Sequence, residues 1–184
     1  MAGQWQLDPF HTQVEFAARH LGMMTVRGNF AEVRSTGTID PQDPESSQFS
    51  VTIDTASIQT HNQIRDNDLR SSNFLDVETY PTIQFSTTNF TSNGDDRYTL
   101  TGDLTIKNHT HPVTLDVNSL GEFNDPMMGH RIGYNASGKI NRQDFGVNLN
   151  AMLDGRFVVS DEIQITIEGE LLENSEEAES AAGT

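Results

Sequence analysis

The side chains of this sequence that could do chemistry are six histidines and three arginines with acidic neighbours. His11, His20, His61, His109, His111 and His130 are scattered along the chain. An imidazole titrates near neutrality and binds metals, so one beside a nucleophile suggests acid–base catalysis and several together suggest a metal. Neither arrangement is present. The sequence has no H-E-x-x-H segment, G-x-S-x-G elbow, P-loop or dinucleotide fingerprint, and without cysteine it has no thiolate chemistry. His109-x-His111 forms a two-imidazole pair at an expected turn, where a dedicated metal site would need further ligands, so no metal is expected. Arg65 and Arg70 stand among Asp66 and Asp68, and Arg142 stands close to Asp144. A guanidinium suits a phosphate through paired hydrogen bonds, but neighbouring carboxylates can engage the same donors in structural ion pairs.

The elements that must position these groups are strands. Ile163, Ile165, Ile167, Gly169 and Leu171 alternate with Gln164, Thr166, Glu168 and Glu170, the period of a half-buried strand. Seven further stretches read the same way: Val14–His20, Met24–Phe30 running on toward Val33, Thr38–Ile53 broken by a turn at Asp40–Glu45, Ile83–Phe85, Leu100–Ile106, Val113–Val117 and Ile132–Ile140. Bends are expected at Leu21-Gly22, Ser92–Asp96 and Asn108–His111. Asn62–Arg70 has no alternation; Asn62 suits a helix N-cap, and Asp66 can pair with Arg70 one turn on. A second short turn is expected at Asn141–Phe145.

Eight antiparallel strands with short turns favour closure, which removes exposed edges. The fold class expected is all-β: an eight-stranded antiparallel up-and-down barrel, lipocalin-like, with one short helix near 62–70. Ala18, Gly28, Gly102, Ala136, Gly138 and Gly169 share the parity of the apolar residues on their strands, which suggests a lumen the protein does not fill with its own side chains. Residues 1–172 form this single domain. Residues 173–184 are acidic, lack apolar anchors and read as a disordered tail.

The chain has 184 residues and a formal net charge of −16, with Lys107 and Lys139 its only lysines. Such a surface repels phosphate backbones, so no nucleic-acid partner is expected. An apolar share of 34% suits a sheet whose outer face is wet. No apolar run is long enough for stable membrane insertion, and the N-terminus lacks the basic and apolar regions of a signal peptide, so a cytoplasmic location is expected.

The ordered motifs of the chain resemble the YceI-like family of polyisoprenoid-binding, lipocalin-like barrels. Trp5-Gln6-Leu7-Asp8-Pro9-Phe10-His11-Thr12 is similar to the family's W-x-[IL]-D-x-x-H-[ST] start. Arg19-His20-Leu21-Gly22, Val26–Phe30, Ala56–Thr60, Arg65–Ser71, Phe74-Leu75-Asp76, Tyr80–Phe85, Gly102–Ile106, Pro112-Val113 and Arg142–Gly146 follow in family order, so the likeness spans residues 5 to about 172. The resemblance implies a helix near 62–70 and an elongated apolar tunnel for one isoprenoid or fatty-acid-like chain. It supplies no catalytic residues, and it implies a bacterial role in lipid or quinone transport, storage or stress response. Many members have His in the R-D-x-H-L pattern where this chain has Asp68.

The tunnel is expected to be lined by Phe16, His20, Phe30, Phe49, Ile53, Leu69 and Phe74. Ile83, Phe85, Leu104, Leu115, Tyr134, Phe145 and Ile165 complete that lining. His11, Arg65, Asp66 and Arg142 are the head-group candidates, with Phe74, Leu75 and Phe145 beside the mouth. The ligand is a small-molecule lipid, no cofactor is expected, and a homodimer is compatible with the sequence. Two other readings stand beside this one. One is a cofactor-independent enzyme acting on a lipid through His20 or His11; the other is a packed barrel that serves as a protein-interaction module.

Overall fold

The computed structural model describes residues 3–40, 43–149, 152–153 and 156–174. The acidic tail from residue 175 and part of the Asp40–Glu45 turn lie outside them. Alternating residues build strands β1 (Gly3–Leu7), β2 (Gln13–His20), β3 (Met24–Phe30), β4 (Val33–Ile39), β5 (Gln48–Asp54) and β6 (Ile58–Gln59). Helix α1 (Gln63–Arg70) follows, then β7 (Thr82–Gly94), β8 (Arg97–Ile106), β9 (His109–Asp125) and β10 (Gly129–Asn141). A small ribbon, β11 (Met152–Leu153) with β12 (Arg156–Phe157), precedes β13 (Glu162–Glu173).

Hydrogen bonding reduces these labels to eight antiparallel passes among the described residues. β1 and β2 form one interrupted pass, β3 and β4 a second, and β5 and β6 a third, because each half pairs with the matching half of its neighbour. β7, β8, β9, β10 and β13 are the other five. β13 closes the ring: one edge pairs with β10 over Arg131–Asn141, and the other pairs with both β2 and β1. The result is the up-and-down barrel expected from the alternation, closed by β13 on β1 and β2, while among the described residues the short β6 has no ladder partner on its outer edge. Two details differ. Thr38–Ile39 ends the second pass instead of starting the third, and Trp5–Leu7 is a strand that the spacing of apolar residues does not reveal.

The turns follow from local chemistry. Leu21 (φ 52°) and Gly22 (φ 70°) are both left-handed, at the centre of a three-residue connection closed by the Met23 amide on the His20 carbonyl. Asp95 and Asp96 are left-handed too, between β7 and β8, and that turn is tighter than the Ser92–Asp96 loop expected. The Asn108 turn is also shorter than expected, and His109 and His111 belong to β9. Asn62 caps α1 by accepting from the Arg65 amide at 3.0 Å. Asp66 does not pair with Arg70: it accepts from the Thr60 amide and hydroxyl, while Arg70 donates to the carbonyls of Ala56 and Ile58. The Asn141–Phe145 turn is a 3₁₀ segment ended by Gly146 at φ 71°.

Gly28 and Gly102 do not leave empty space, contrary to the first reading of the small residues. A Cβ on Gly28 would stand 2.4 Å from Cζ of Phe16, its paired residue on β2, and one on Gly102 would stand 2.3 Å from Cζ of Phe85. The glycines let those rings lie along the wall, which keeps the rings out of the middle of the tube.

Candidate ligand-binding site

The inward side chains enclose an apolar cavity of about 680 Å³, in the size range of small-molecule sites. Thirteen of the fourteen residues expected to line it do so: Phe16, Phe30, Phe49, Ile53, Leu69, Phe74, Ile83, Phe85, Leu104, Leu115, Tyr134, Phe145 and Ile165. His20 does not. It shares their parity but stands at the end of β2, exposed, where its backbone bridges to Val159.

The two ends of the tube differ. At the end that carries α1, Phe74, Leu75, Phe145 and Val147 are all buried beneath the Thr60–Tyr80 and Arg142–Asp161 connections. Lys107 ties these two caps together, donating from Nζ to the carbonyls of Phe74 and Gly146 at 3.2 Å each. Arg142 is 4% exposed and donates to the carbonyls of Val147, Val159 and Ser160 and to the Asp161 carboxylate. Arg65 donates to the Thr60 hydroxyl and carbonyl. The breaks in alternation therefore mark a floor; the sequence had placed the mouth there. Irregular sequence shows where strands stop, but the buried apolar residues within it decide whether that end is open or plugged.

The opposite end is lined by Leu7, Ile39, Pro44, Phe90, Tyr98, Ile132 and Leu171, with Asp40, Asp96, Ser119, Gly121 and Glu122. Asp96, Gly121 and Glu122 are exposed, so the tube opens here. Phe90 and Tyr98 stack across the β7–β8 hairpin with ring centroids 5.1 Å apart. Sequence parity missed Phe90 for a physical reason. A bulge between Thr87 and Asn89 shifts the pattern by one residue, so Phe85 and Phe90 face the same lumen. Outside this rim, Leu120, Phe123, Met127 and Met128 of the β9–β10 hairpin are exposed.

His11 lies outside the cavity, in a cluster that ties the β1–β2 kink to the barrel. Its Nδ1 is 2.9 Å from Asp8, and Arg131 donates to both Asp8 and Glu170. Burial alone would raise the Asp8 carboxyl, but hydrogen bonds from Arg131, His11 and the Phe10 amide hold it at about 2. Asp8, His11 and Glu170 could each turn one atom to a common metal ion. The Arg131 guanidinium already donates to both carboxylates, which is the chemistry of an ion-pair clasp.

Two further polar groups border the tube. His130 lies between Glu122 and Glu173 and packs edge-on against Trp5 at 4.8 Å. Burial opposes its charge, but the two carboxylates outweigh that and raise its pKa. Tyr134 faces the lumen, and its hydroxyl and that of Thr12 are buried without a hydrogen bond of good geometry. Burial raises the phenol, so it stays neutral.

The YceI-like domain pattern matches residues 5–171. The chain belongs to the YceI-like family. A UPF0312 protein of Serratia proteamaculans is 39% identical over 149 residues, which cover 80% of this chain and 77% of that one. The Campylobacter jejuni YCEI protein has a solved structure that superposes with a TM-score of 0.74 at 30% identity, covering 86% of this chain and 90% of that one. The fold also matches a polyisoprenoid-binding domain from Saccharophagus degradans implicated in plant cell wall breakdown, with a TM-score of 0.64, 14% identity and coverage of 92% and 98%. Within this YceI-like chain no described helix is long and apolar enough to cross a membrane.

Proposed function

We propose that this YceI-like protein is a non-catalytic carrier that holds one long apolar chain, an isoprenoid or acyl lipid, lengthwise in the barrel for transport, storage or sequestration. The observation that carries the reading is the tube itself: apolar along its length, plugged at one end and open at the other. Each buried CH₂ contributes about 0.8 kcal/mol, so about fifteen of them contribute roughly 12 kcal/mol. Association costs about 4–15 kcal/mol, which a long chain can offset and a short one cannot. The polyisoprenoid-binding description of the Saccharophagus relative, which shares this fold, supports an apolar ligand of this shape.

Catalysis finds less support. His11 and His20, the acid–base candidates, both lie outside the cavity lining, and its charged members are four carboxylates and the engaged Arg142. Titrating the protein with alcohols of increasing chain length tests the carrier reading. Affinity should rise steadily with each added methylene until the tube is full. Affinity independent of chain length would contradict it.

A further inference from the structure

The polar end of the ligand has to leave the tube where the tube opens, so the charge of the rim selects that end. Asp40, Asp96 and Glu122 border the opening, and no basic residue does among the described lining residues. Arg142, the cation that lines the tube, and Lys107 stand at the plugged end with their donors engaged: Arg142 on three carbonyls and Asp161, and Lys107 on Phe74 and Gly146. The basic groups near the rim are each engaged by carboxylates: His130 between Glu122 and Glu173, Arg131 on Asp8 and Glu170, and Arg97 on Asp95. Below the rim, the buried hydroxyls of Tyr134 and Thr12 meet each other without a hydrogen bond of good geometry, so the phenol offers a neutral donor or acceptor to the ligand's polar atom. The whole chain, at −16, adds a field of the same sign.

From this arrangement we infer that the tunnel is selective for lipids with a cationic amine at the polar end, accepts neutral hydroxyl or carbonyl ends, and rejects carboxylates and phosphates. Asp40, Asp96 and Glu122 are the discriminating residues. The inference rests on the carrier reading and names the ligand class that reading leaves open. It reverses the sequence-based assignment of Arg65 and Arg142 to an anionic head group.

The test uses four probes with one sixteen-carbon chain: hexadecylamine, hexadecanol, palmitate and hexadecyl phosphate. Each is titrated below its micelle concentration at pH 7, by displacement of a neutral fluorescent hydrocarbon. The amine should bind about tenfold or more tighter than palmitate or the phosphate, with the alcohol between them. Raising the salt concentration should narrow the gap, because charge separates the probes. The triple variant D40N/D96N/E122Q should bring amine and palmitate to within about threefold, moving each of them more than it moves the alcohol. Asp96 lies in an exposed turn, so Asp96→Asn alone gives a variant whose folding is not in question, and it should narrow the gap in part. Neutralising three exposed acids away from the rim (E32Q/E78Q/D103N) should preserve most of the gap.

If the alcohol binds and the amine and palmitate bind equally, or palmitate binds tighter, the selectivity is wrong and the carrier reading survives. If the distant triple variant removes the gap as fully as the rim variant, the rim does not discriminate. If no probe binds, both readings fall.

Discussion

Phe16 and Gly28 face each other across the β2–β3 ladder, with the phenyl tip standing where a side chain on Gly28 would begin. The same Cβ would also meet the Gln59 carbonyl at 2.7 Å, and that backbone atom cannot swing aside. Gly28→Ala should therefore destabilise the barrel by about 1–3 kcal/mol, as overpacking does. Urea denaturation of the two proteins measures this. An unchanged midpoint would show that the ring is free to move into the tube.

Arg142 holds the floor. Its guanidinium bonds to three carbonyls and the Asp161 carboxylate, all from residues 147–161. Arg142→Met leaves those carbonyls buried or half-buried without that donor and Asp161 without its ion pair, still held by the Gln143 side-chain amide. The expected cost is about 3–5 kcal/mol, read from thermal or denaturant unfolding. Amide exchange around Phe145 and Val147 should accelerate more than exchange in β7 and β8.

Much of this was legible in the sequence. Period-two alternation gave the barrel, and inward parity found most of the strand residues expected to line it, because the barrel wall has only two faces; Leu69, Phe74 and Phe145 came from the breaks in that pattern. Where the reading failed, the cause was local. Phe90 was hidden by a one-residue bulge, and His20 kept its parity but overran the end of the wall. Arg65, Asp66 and Arg142 looked available as charges in sequence, but backbone carbonyls or a threonine engage them, and sequence does not show where carbonyls converge. The orientation of the tube was not readable either, since burial of Phe74 and Phe145 depends on how the two connections fold over the barrel end.

Two groups set opposite pH limits on stability. The folded Asp8 carboxyl titrates at about 2, below its ordinary 3.8, so its contribution is present above pH 3.8 and is lost as pH falls toward 2. That contribution is roughly 1–2 kcal/mol once screening is allowed for. His130 is raised above 6.5, so its contribution is complete below that pH and is lost as pH rises through the folded value. Melting curves across pH should fall off at both limits. Asp8→Asn should flatten the acid limb and His130→Gln the alkaline one; unchanged limbs would show that other groups set them.

Tyr134→Phe separates stability from binding. Removing a buried hydroxyl whose contact with the Thr12 hydroxyl is of poor geometry should change the stability of the empty protein by no more than about 1 kcal/mol. The same change should weaken hexadecanol and hexadecylamine alike, by about threefold to tenfold, because the lost partner is neutral. A phenylalanine variant that binds both as wild type would show that the hydroxyl plays no part.

A substitution inside the tube tests the central claim most directly. Ala18 lines the cavity from β2 and is only partly buried, so a larger side chain there projects into open space. Ala18→Phe should leave unfolding stability within about 1 kcal/mol of wild type and reduce hexadecanol affinity tenfold or more, because the ring fills the floor end of the tube and about two or more methylenes lose their burial. If Ala18→Phe folds as wild type and binds the sixteen-carbon alcohol equally well, the lipid is not held in the barrel.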